Sequence, residues 1–334
     1  MVFLFLRMIF ITGSTGLIGS FIAREFLRQG HAVCALRRQQ SDLSLIADIT
    51  DQIQWIEGDL FDLPLLAQTL QPDDIVIHSA ATVSFAPAKK AEMFKTNVEG
   101  TANLVNVCLD RGVKKFCFVS SVAALGRSKN QLILDENAKW EESEFNTTYA
   151  QTKYLAELEV WRAAAEGLPV VVVNPSVVLG PGDWHRSSTQ MFRYAFGEKY
   201  FYPQGYVNYV DVRDVAEAIF SLVYSRITGE KFILNAGTVS YRELFQQIAQ
   251  RFGKKAPRWQ VQPWMVAIAW RSEWLKSQFS SKEPLITRET ARTASSHYTY
   301  KNEKIREQLN FTFRSLSDTL DWACNILNDR MMNK

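Results

Sequence analysis

Short apolar runs alternate with amphipathic segments through the first half of the chain. The runs are rich in β-branched residues and lack polar alternation, which is typical of strands buried on both faces of a sheet. They predict strands at 9–12, 31–36, 53–56, 74–78, 115–120 and 170–174. Segments of helical periodicity between them predict helices at 17–29, 64–70, 90–111 and 149–166. This order predicts a parallel sheet with helices on both faces and right-handed crossovers.

After Pro175 the alternation of strand and helix patterns becomes less regular. It predicts helices at 187–197, 211–225 and 240–252 and a short strand at 231–235. We therefore expect an α/β protein, a doubly wound parallel sheet with a smaller C-terminal lobe. The first domain would span residues 8–175. Residues 176–330 would form mainly a substrate-binding lobe, with some segments returning to the first domain.

Four tryptophans lie in residues 259–279. We expect most of them to pack inside an amphipathic helix of the small lobe. The alternatives are that they line an apolar substrate cleft or touch a membrane surface. Residues 183–208 and 259–300 are expected to shape the substrate pocket, because loops carry the specificity of such folds.

The composition narrows the classes of protein that remain. The chain is 47% hydrophobic and 22% charged, with a net charge of +3, and it shows no basic block of the kind that binds nucleic acid. Four cysteines without a CxxC pair fit reduced thiols and a cytoplasmic location, and the four histidines lack zinc-site spacing, so no metal is expected. The apolar start at residues 1–7 is too short for a signal peptide, and no apolar run is long enough to span a membrane.

The first predicted strand runs directly into a glycine-rich turn that reads Gly13-Ser14-Thr15-Gly16-Leu17-Ile18-Gly19. In such a turn the first glycine permits a tight bend and the second lets the backbone approach a pyrophosphate. The third lets the following helix pack against the strand. Placed between a strand and an amphipathic helix, this turn predicts a Rossmann-type dinucleotide site, with phosphate at the helix N-terminus.

The end of the second predicted strand indicates which dinucleotide is bound. An NAD site usually carries a carboxylate there, whereas this strand ends in Arg37 and Arg38. A guanidinium binds a 2′-phosphate through paired hydrogen bonds. We therefore predict NADP(H) rather than NAD(H), with Arg37 the first candidate and Arg38 the second. The alternative is that both arginines belong to a solvated loop.

Two further strand ends are predicted to contact the cofactor. Asp59 and Leu60 follow the third strand, where Asp59 is placed either to accept from the adenine amino group or to cap the helix at 62–70. Ala80, Ala81 and Thr82 follow the fourth strand. Small residues there let a cofactor lie against the backbone, although they also suit plain packing.

Tyr149 and Lys153 are four residues apart on a predicted helix, so they share one face. A nearby ammonium lowers the pKa of a phenol and makes it a useful general acid and base. Ser121 ends the preceding strand and is placed to hydrogen-bond a substrate carbonyl. A second Tyr-x-x-x-Lys, at Tyr300 and Lys304, lies in a polar stretch without a preceding strand, and we expect it to be solvated helix surface.

These features together resemble the extended short-chain dehydrogenase/reductases. The stretches that carry the resemblance are 12–19, 78–81, 96–105, 118–121, 149–153 and 174–182. The resemblance implies Ser121, Tyr149 and Lys153 as the catalytic set, with Lys153 also holding the nicotinamide ribose. It places Pro175, Ser176 and Val177 near the nicotinamide. Asn97 matches a common asparagine of the long helix, for which a structural role is favoured over cofactor contact.

Within that superfamily, Asn174-Pro-Ser-Val and Arg37 resemble the branch of dihydroflavonol reductases and 3β-hydroxysteroid dehydrogenases. We therefore expect an NADPH-dependent reductase of a ketone or aldehyde on a small, apolar organic substrate. Two alternatives remain, a nucleotide-sugar epimerase or dehydratase and a non-catalytic NADP(H) sensor. The chain is expected to act as a monomer or a homodimer.

Overall fold

The protein is described here from a computed structural model, which covers residues 8–84, 86–127, 132–262, 265 and 298–332. Its centre is a seven-stranded sheet in which every neighbouring pair is parallel. With strands numbered along the chain, these are β1 (Ile9–Thr12), β2 (Val33–Arg37), β3 (Ile53–Glu57), β4 (Ile75–His78), β5 (Lys115–Val119), β7 (Val170–Pro175) and β11 (Glu230–Leu234). The order across the sheet is β11-β7-β5-β4-β1-β2-β3. The predicted Rossmann-type, doubly wound fold is confirmed.

Helices cover both faces of this sheet. They are α1 (Leu17–Arg28), α2 (Leu63–Thr69), α3 (Lys90–Phe94), α4 (Gly100–Arg111), α5 (Thr148–Ala165) and α7 (Val212–Tyr224). Each face of the sheet packs against helices to form a hydrophobic core, and successive strand residues point to opposite faces. Ile9 and Ile11 of β1 pack with α1 and α7, whereas Phe10 packs with α2, α4 and α5. Because both faces are buried, the strands need no polar alternation.

The long helix predicted at 90–111 is present, with one irregularity. Between α3 and α4 the chain forms a π-helical turn at Lys95–Glu99. Such turns insert an extra residue into a helix and often lie at functional sites. Here the turn contains Asn97, whose side chain is buried.

The smaller lobe is built on a second sheet of three strands, β8 (Val177–Leu179), β10 (Tyr206–Asp211) and β12 (Gly237–Ser240), in the order β12-β10-β8. Three helices pack around it, α6 (Thr189–Phe196), α8 (Tyr241–Arg251) and α10 (Leu316–Met332). The helices predicted at 211–225 and 240–252 begin where Asp211 and Ser240 cap their first turns.

The remaining described elements are short. They are β6 (Ile133–Leu134), β9 (Phe201–Tyr202), β13 (Trp259–Gln260), β14 (Thr299–Tyr300) and helix α9 (Glu303–Leu309). Strand β6 pairs with β14, and β9 pairs with β13. Within the described ranges, no helix is both long and apolar enough to cross a membrane.

The C-terminal half of the chain contributes to both the central sheet and the smaller lobe. Strand β11, predicted at 231–235, is the outermost strand of the central sheet and pairs with β7. Helix α9 packs on β11 through Ile305. Segments beyond residue 175 therefore contribute to the central sheet.

The interpretation of Tyr300 and Lys304 as solvated helix surface is wrong. Tyr300 lies in β14 with only 4% of its surface exposed. Lys304, at the start of α9, donates to Glu230 at 2.5 Å and to the Lys231 carbonyl at 2.9 Å. The polar composition of the stretch concealed a strand that pairs with residues more than 160 positions earlier. Residues 1–7 and most of the tryptophan-rich segment 259–279 lie outside the described residues.

An ion-pair cluster attaches the segment before α10 to helix α7. The guanidinium of Arg314 donates to Asp214 and, at 2.6 Å, to Glu217, and its main-chain N–H donates to Asp214 at 2.9 Å. Asp214 is fully buried. Burial raises the pKa of its carboxyl to about 6, against the opposing effect of the hydrogen bonds from Arg314.

Replacing Arg314 should therefore leave the buried Asp214 carboxylate without its ion-pair partner. We expect Arg314→Met to lower the free energy of unfolding by about 3 kcal/mol. The loss should be smaller at pH 5 than at pH 8, because at the lower pH Asp214 can take up a proton. Urea unfolding at both values measures this. Arg186→Met, which removes an exposed pair with Asp183, should cost less than about 0.5 kcal/mol; equal losses for the two variants would contradict the assignment.

Candidate active site

The crevice of the central sheet lies where the strand order reverses, between β1 and β4. From β1 the chain proceeds outward through β2 and β3 and then returns to β4 on the other side of β1. Thr12 and His78, the last residues of β1 and β4, are register partners. Ligands of open α/β sheets bind outside the carboxyl ends of the strands at this point.

The glycine turn at this crevice leaves no room for side chains at two of its positions. Gly13 has φ of +75°, and a Cβ there would lie 2.6 Å from the Ala80 nitrogen. A Cβ on Gly19 would lie 2.2 Å from the Gly13 carbonyl oxygen. Gly16 is the N-cap of α1, and its N–H donates to Gly13 at 3.0 Å. The turn therefore brings the N-terminus of α1, with Leu17, Ile18 and Gly19 in its first turn, against the edge of the sheet.

This arrangement fits a dinucleotide pyrophosphate. The first turn of a helix has main-chain N–H groups without intrahelical partners, and these suit an anion. The hydroxyl of Ser14 is buried and has no hydrogen-bond partner among the described residues. Thr15 is partly exposed beside it. A phosphate oxygen would satisfy both the hydroxyl and the helix N-terminus.

A buried histidine connects this turn to the long helix. His78 Nδ1 lies 2.7 Å from the Thr12 hydroxyl, and Nε2 lies 2.9 Å from the Thr101 hydroxyl. Thr101 donates its own proton to the Asn97 carbonyl at 2.6 Å, so it must accept from Nε2–H. Thr12 then donates to Nδ1 while accepting from the Ala80 N–H at 3.3 Å. The bonds therefore fix His78 as the neutral Nε2–H tautomer.

The residues after β4 are held by Asn97. The Asn97 side chain accepts from the Thr82 N–H at 2.7 Å and donates to the Thr82 carbonyl at 2.9 Å. It also donates to the Thr152 hydroxyl at 3.0 Å. Its amide is thus engaged by the protein, which favours the structural role over direct cofactor contact. Ala81 is exposed. The backbone of Ala80 lies against Gly13, so a small residue at position 80 also allows the close packing of the glycine turn.

The two arginines after β2 occupy different surroundings. The Arg37 guanidinium lies over the Trp55 ring, 5.5 Å from its centroid, and 3.9 Å from the Glu57 carboxylate. Arg38 lines a cavity of about 590 Å³ together with Gln39, Gln40, Glu57, Gly58, Asp59 and Asp62. The structure therefore places Arg38, the second candidate, at the cavity beyond the ends of β2 and β3. Glu57, which the sequence interpretation passed over, adds a carboxylate to the same cavity.

Asp59 lies in this cavity and does not cap helix α2. Its carboxylate accepts from the Phe61 N–H at 2.7 Å. The cap is Asp62, which accepts from the Leu65 N–H at 3.1 Å. Leu60 is buried against Gly100 of α4, where a Cβ would lie 2.9 Å from it, so it supports the crevice wall.

Strand β5 and helix α5 bring together the three residues of the predicted catalytic set. The phenol of Tyr149 is hydrogen-bonded to Ser121, which lies two residues beyond the end of β5. Lys153 donates to the Val119 carbonyl at 2.7 Å and lies 4.3 Å from the centroid of the Phe118 ring. Thr147 caps α5 by accepting from the Ala150 N–H at 3.0 Å, which fixes where Tyr149 enters the helix.

The proton affinities of these groups differ from the expectation. Desolvation by the surrounding protein raises the pKa of Tyr149 to about 12, and the hydrogen bond with Ser121 lowers it only in part. Burial lowers the pKa of Lys153 to about 7, opposed by the charge of Glu157. The expectation that the Lys153 ammonium lowers the pKa of the Tyr149 phenol is therefore wrong, because burial outweighs the lowering effects and Lys153 is not among them.

Strand β7 supplies the wall beside Ser121. Asn174 donates to the Ser121 carbonyl at 2.9 Å, and Pro175 ends the strand. The hydroxyl of the buried Ser176 has no partner among the described residues. Val177 opens β8 and is partly exposed. Their predicted place near a nicotinamide stays a prediction. No group of residues able to hold a metal ion occurs within the described ranges.

Comparison with known proteins identifies the family. The model of the NAD dependent epimerase/dehydratase family matches residues 9–237, which is more than half of the chain. The chain belongs to this family. It is an extended short-chain dehydrogenase/reductase and an NAD(P)-dependent oxidoreductase.

Individual members show where in this family the similarity lies. The chain is 29% identical to a putative dihydroflavonol 4-reductase of Synechocystis sp. over 328 residues, which covers 95% of this chain and 94% of that relative. It is 32% identical to cinnamoyl-CoA reductase 1 of Oryza sativa subsp. japonica, over 74% of this chain and 76% of the rice protein. The crystal structure of gox2253 superposes with a TM-score of 0.82 at 33% identity, covering 97% of this chain and 98% of that one.

The neutral state of His78 in this family member is directly testable. Burial lowers its pKa to about 3, with a smaller effect from the charge of Lys153. We expect its ring to remain the Nε2–H tautomer from pH 5 to pH 8, which ¹⁵N NMR of the imidazole nitrogens measures. The partly exposed His31 provides an internal comparison. Titration of the His78 signals within that range would contradict the hydrogen-bond directions given above.

Proposed function

We propose that this protein is an NADPH-dependent reductase that transfers hydride to a ketone or aldehyde of a small, apolar organic substrate. The observation that carries the proposal is the phenol of Tyr149, hydrogen-bonded to Ser121 at the carboxyl edge of the sheet. The names of the rice and Synechocystis relatives, both reductases, support it.

Tyr149 is suited to give a proton. Its pKa of about 12 keeps the phenol protonated at neutral pH. Reduction of a carbonyl needs a proton for the oxygen that becomes a hydroxyl, and a general acid must hold that proton before the reaction. Ser121 orients the same oxygen by a hydrogen bond. The raised pKa therefore favours the reductive direction.

The cofactor supplies the hydride when it is bound. Gly13, Gly16 and the N-terminus of α1 would hold its pyrophosphate, and Ser14 has a buried hydroxyl available for a phosphate oxygen. Lys153 would hold the nicotinamide ribose, and its ammonium stabilises the phenolate that forms when Tyr149 gives up its proton. Pro175, Ser176 and Val177 would border the nicotinamide.

The preference for NADPH rests on Arg38. Arg38 faces the cavity beside Asp59, whereas Arg37 is engaged with Trp55 and Glu57. A guanidinium in that cavity is placed to bind a 2′-phosphate. Glu57 is the group that would suit NADH instead, so the balance between Arg38 and Glu57 sets the preference.

The family description supports one second candidate, an epimerase or dehydratase acting on a nucleotide sugar. In that activity the cofactor is reduced and reoxidised within one cycle. Stoichiometric oxidation of NADPH by a simple carbonyl compound separates the two activities. A sensor protein would bind NADPH without needing Tyr149.

Removing the Tyr149 hydroxyl tests the proposed function. With a panel of aromatic and aliphatic carbonyl compounds, followed by loss of NADPH absorbance, we expect Tyr149→Phe to lower kcat by about 10²–10⁴-fold. NADPH affinity, measured by fluorescence, should be nearly unchanged. Tyr154→Phe is the matched control, because Tyr154 lies on the same helix stacked on Trp140 and should retain activity. A Tyr149→Phe variant as active as the wild type would refute the proposal.

The assignment of the 2′-phosphate site predicts a contrast between the two arginines. Arg38→Gln should raise the Kd for NADPH by about 10-fold or more, the equivalent of one lost charge-assisted hydrogen bond. The Kd for NADH should change little. Arg37→Gln should have the smaller effect on NADPH. Isothermal titration of both variants with both cofactors decides this, and a larger loss in Arg37→Gln would restore the order that the sequence suggested.

A further inference from the structure

A buried carboxylate lies one turn beyond Lys153 on helix α5. Glu157 is 3% exposed, and Lys153 is 2% exposed. Residues 149, 153 and 157 are spaced four apart, so the phenol, the amine and the carboxylate line one face of the helix. The motif Tyr149-x-x-x-Lys153 thus continues by one further turn into the protein interior.

Glu157 is held by two neutral donors from neighbouring strands. The Ser120 hydroxyl donates to its Oε1 at 2.5 Å, and the Asn174 side chain donates to the same atom at 2.6 Å. Asn174 also donates to the Ser121 carbonyl at 2.9 Å. One carboxylate oxygen of Glu157 thereby connects helix α5 both to Ser120, just after β5, and to Asn174 of β7. These two residues are in turn joined to Ser121, Ser120 as its chain neighbour and Asn174 through a hydrogen bond.

These hydrogen bonds alone do not require a carboxylate. Both donors reach Oε1, and the carbonyl oxygen of a glutamine would accept from both. Burying a charge costs far more free energy than burying an amide. What only a carboxylate supplies is negative charge, and the charge of Glu157 raises the pKa of Lys153.

The other groups around Lys153 offer its ammonium weaker support. From β5, Val119 provides a carbonyl and Phe118 an aromatic face. From β4, His78 is neutral, with a pKa lowered to about 3. On α5 itself, Tyr149 is a neutral phenol at physiological pH. Of the described titratable groups, Glu157 is the one whose charge raises the pKa of Lys153.

We propose that Glu157 is a positioning residue whose carboxylate keeps Lys153 in its ammonium form and, through Asn174, fixes the main chain at Ser121. The inference rests on the proposed function for the role of Lys153. On this inference, Glu157 touches neither substrate nor cofactor. It nevertheless helps to set the pH range over which the enzyme works.

The decisive variant is Glu157→Gln, which preserves an acceptor for Ser120 and Asn174 and removes the charge. The protonation of Lys153 is followed in the cofactor-free protein by NMR of ¹³Cε-labelled lysine, with its signal assigned from Lys153→Arg. We expect a wild-type midpoint near pH 7 and a midpoint lower by about one pH unit in Glu157→Gln. Glu166→Gln, at the exposed end of α5, should leave the midpoint unchanged.

A purely structural role gives a different result. It would lower the Tm of Glu157→Gln and leave the Lys153 midpoint in place, and that outcome would overturn the proposal. If Glu157→Gln does not fold, Glu157→Asp is the second variant. It retains the negative charge but moves it away from Lys153 by the length of one methylene group. Its midpoint should then move in the same direction by a smaller amount, and an unchanged or raised midpoint would equally contradict the inference.

Kinetics supply an independent measurement. A one-unit shift predicts that kcat/KM of Glu157→Gln falls by about tenfold at pH 8 and less than twofold at pH 5.5, because the ammonium is lost as pH rises through its pKa. If the wild type reduces no carbonyl compound, the proposed function fails while the NMR titration still tests Glu157. If the wild type is active and the two titrations coincide, only the role of Glu157 is refuted.

Discussion

The hydrogen bonds between polar groups buried at the carboxyl ends of β1, β4, β5 and β7 are the interaction on which the rest of the structure depends. An unsatisfied buried donor or acceptor costs about 1–3 kcal/mol, so each such group fixes the position of the next. Thr12, His78, Thr101 and Asn97 form one chain from the glycine turn to the π-helical turn. Asn97 and Thr152 extend it to the main chain of Tyr149. The phosphate turn and the catalytic helix are therefore parts of one connected arrangement.

The sequence predicted those features that depend on neighbouring residues. The glycine turn between a strand and a helix, the strands buried on both faces and the shared helix face of Tyr149 and Lys153 all follow from local pattern and spacing. It also placed Ser121 at the end of the fifth strand, whereas β5 ends at Val119 and Ser121 caps the short turn that follows. These local rules predicted the central fold and the residue pair Tyr149 and Ser121, whose side chains are hydrogen-bonded.

Features that depend on distant pairing were missed. Which of Arg37 and Arg38 faces the crevice depends on Trp55 and Glu57, which lie beside Arg37 only because of the register of β2 and β3. Strands β8, β10 and β12 are short, and their pairing partners lie far apart in the chain. Glu157 is one of two glutamates within α5, and only the positions of β5 and β7 show that it is buried. A signal was nonetheless present, since 157 continues the four-residue spacing of 149 and 153.

The attachment of the C-terminal segment has a consequence for how the protein is made. Helix α9 covers β11, Arg314 holds α7, and Arg330 donates to the Pro181 carbonyl at 2.8 Å, in the loop between β8 and α6. Domains generally fold from the N-terminal side during synthesis. A nascent chain emerging from the ribosome can thus assemble its first six central strands early, but α7 and β11 acquire their outer covering only when residues 303–332 have been translated. Until then, the apolar surfaces beneath that covering are open to chaperones.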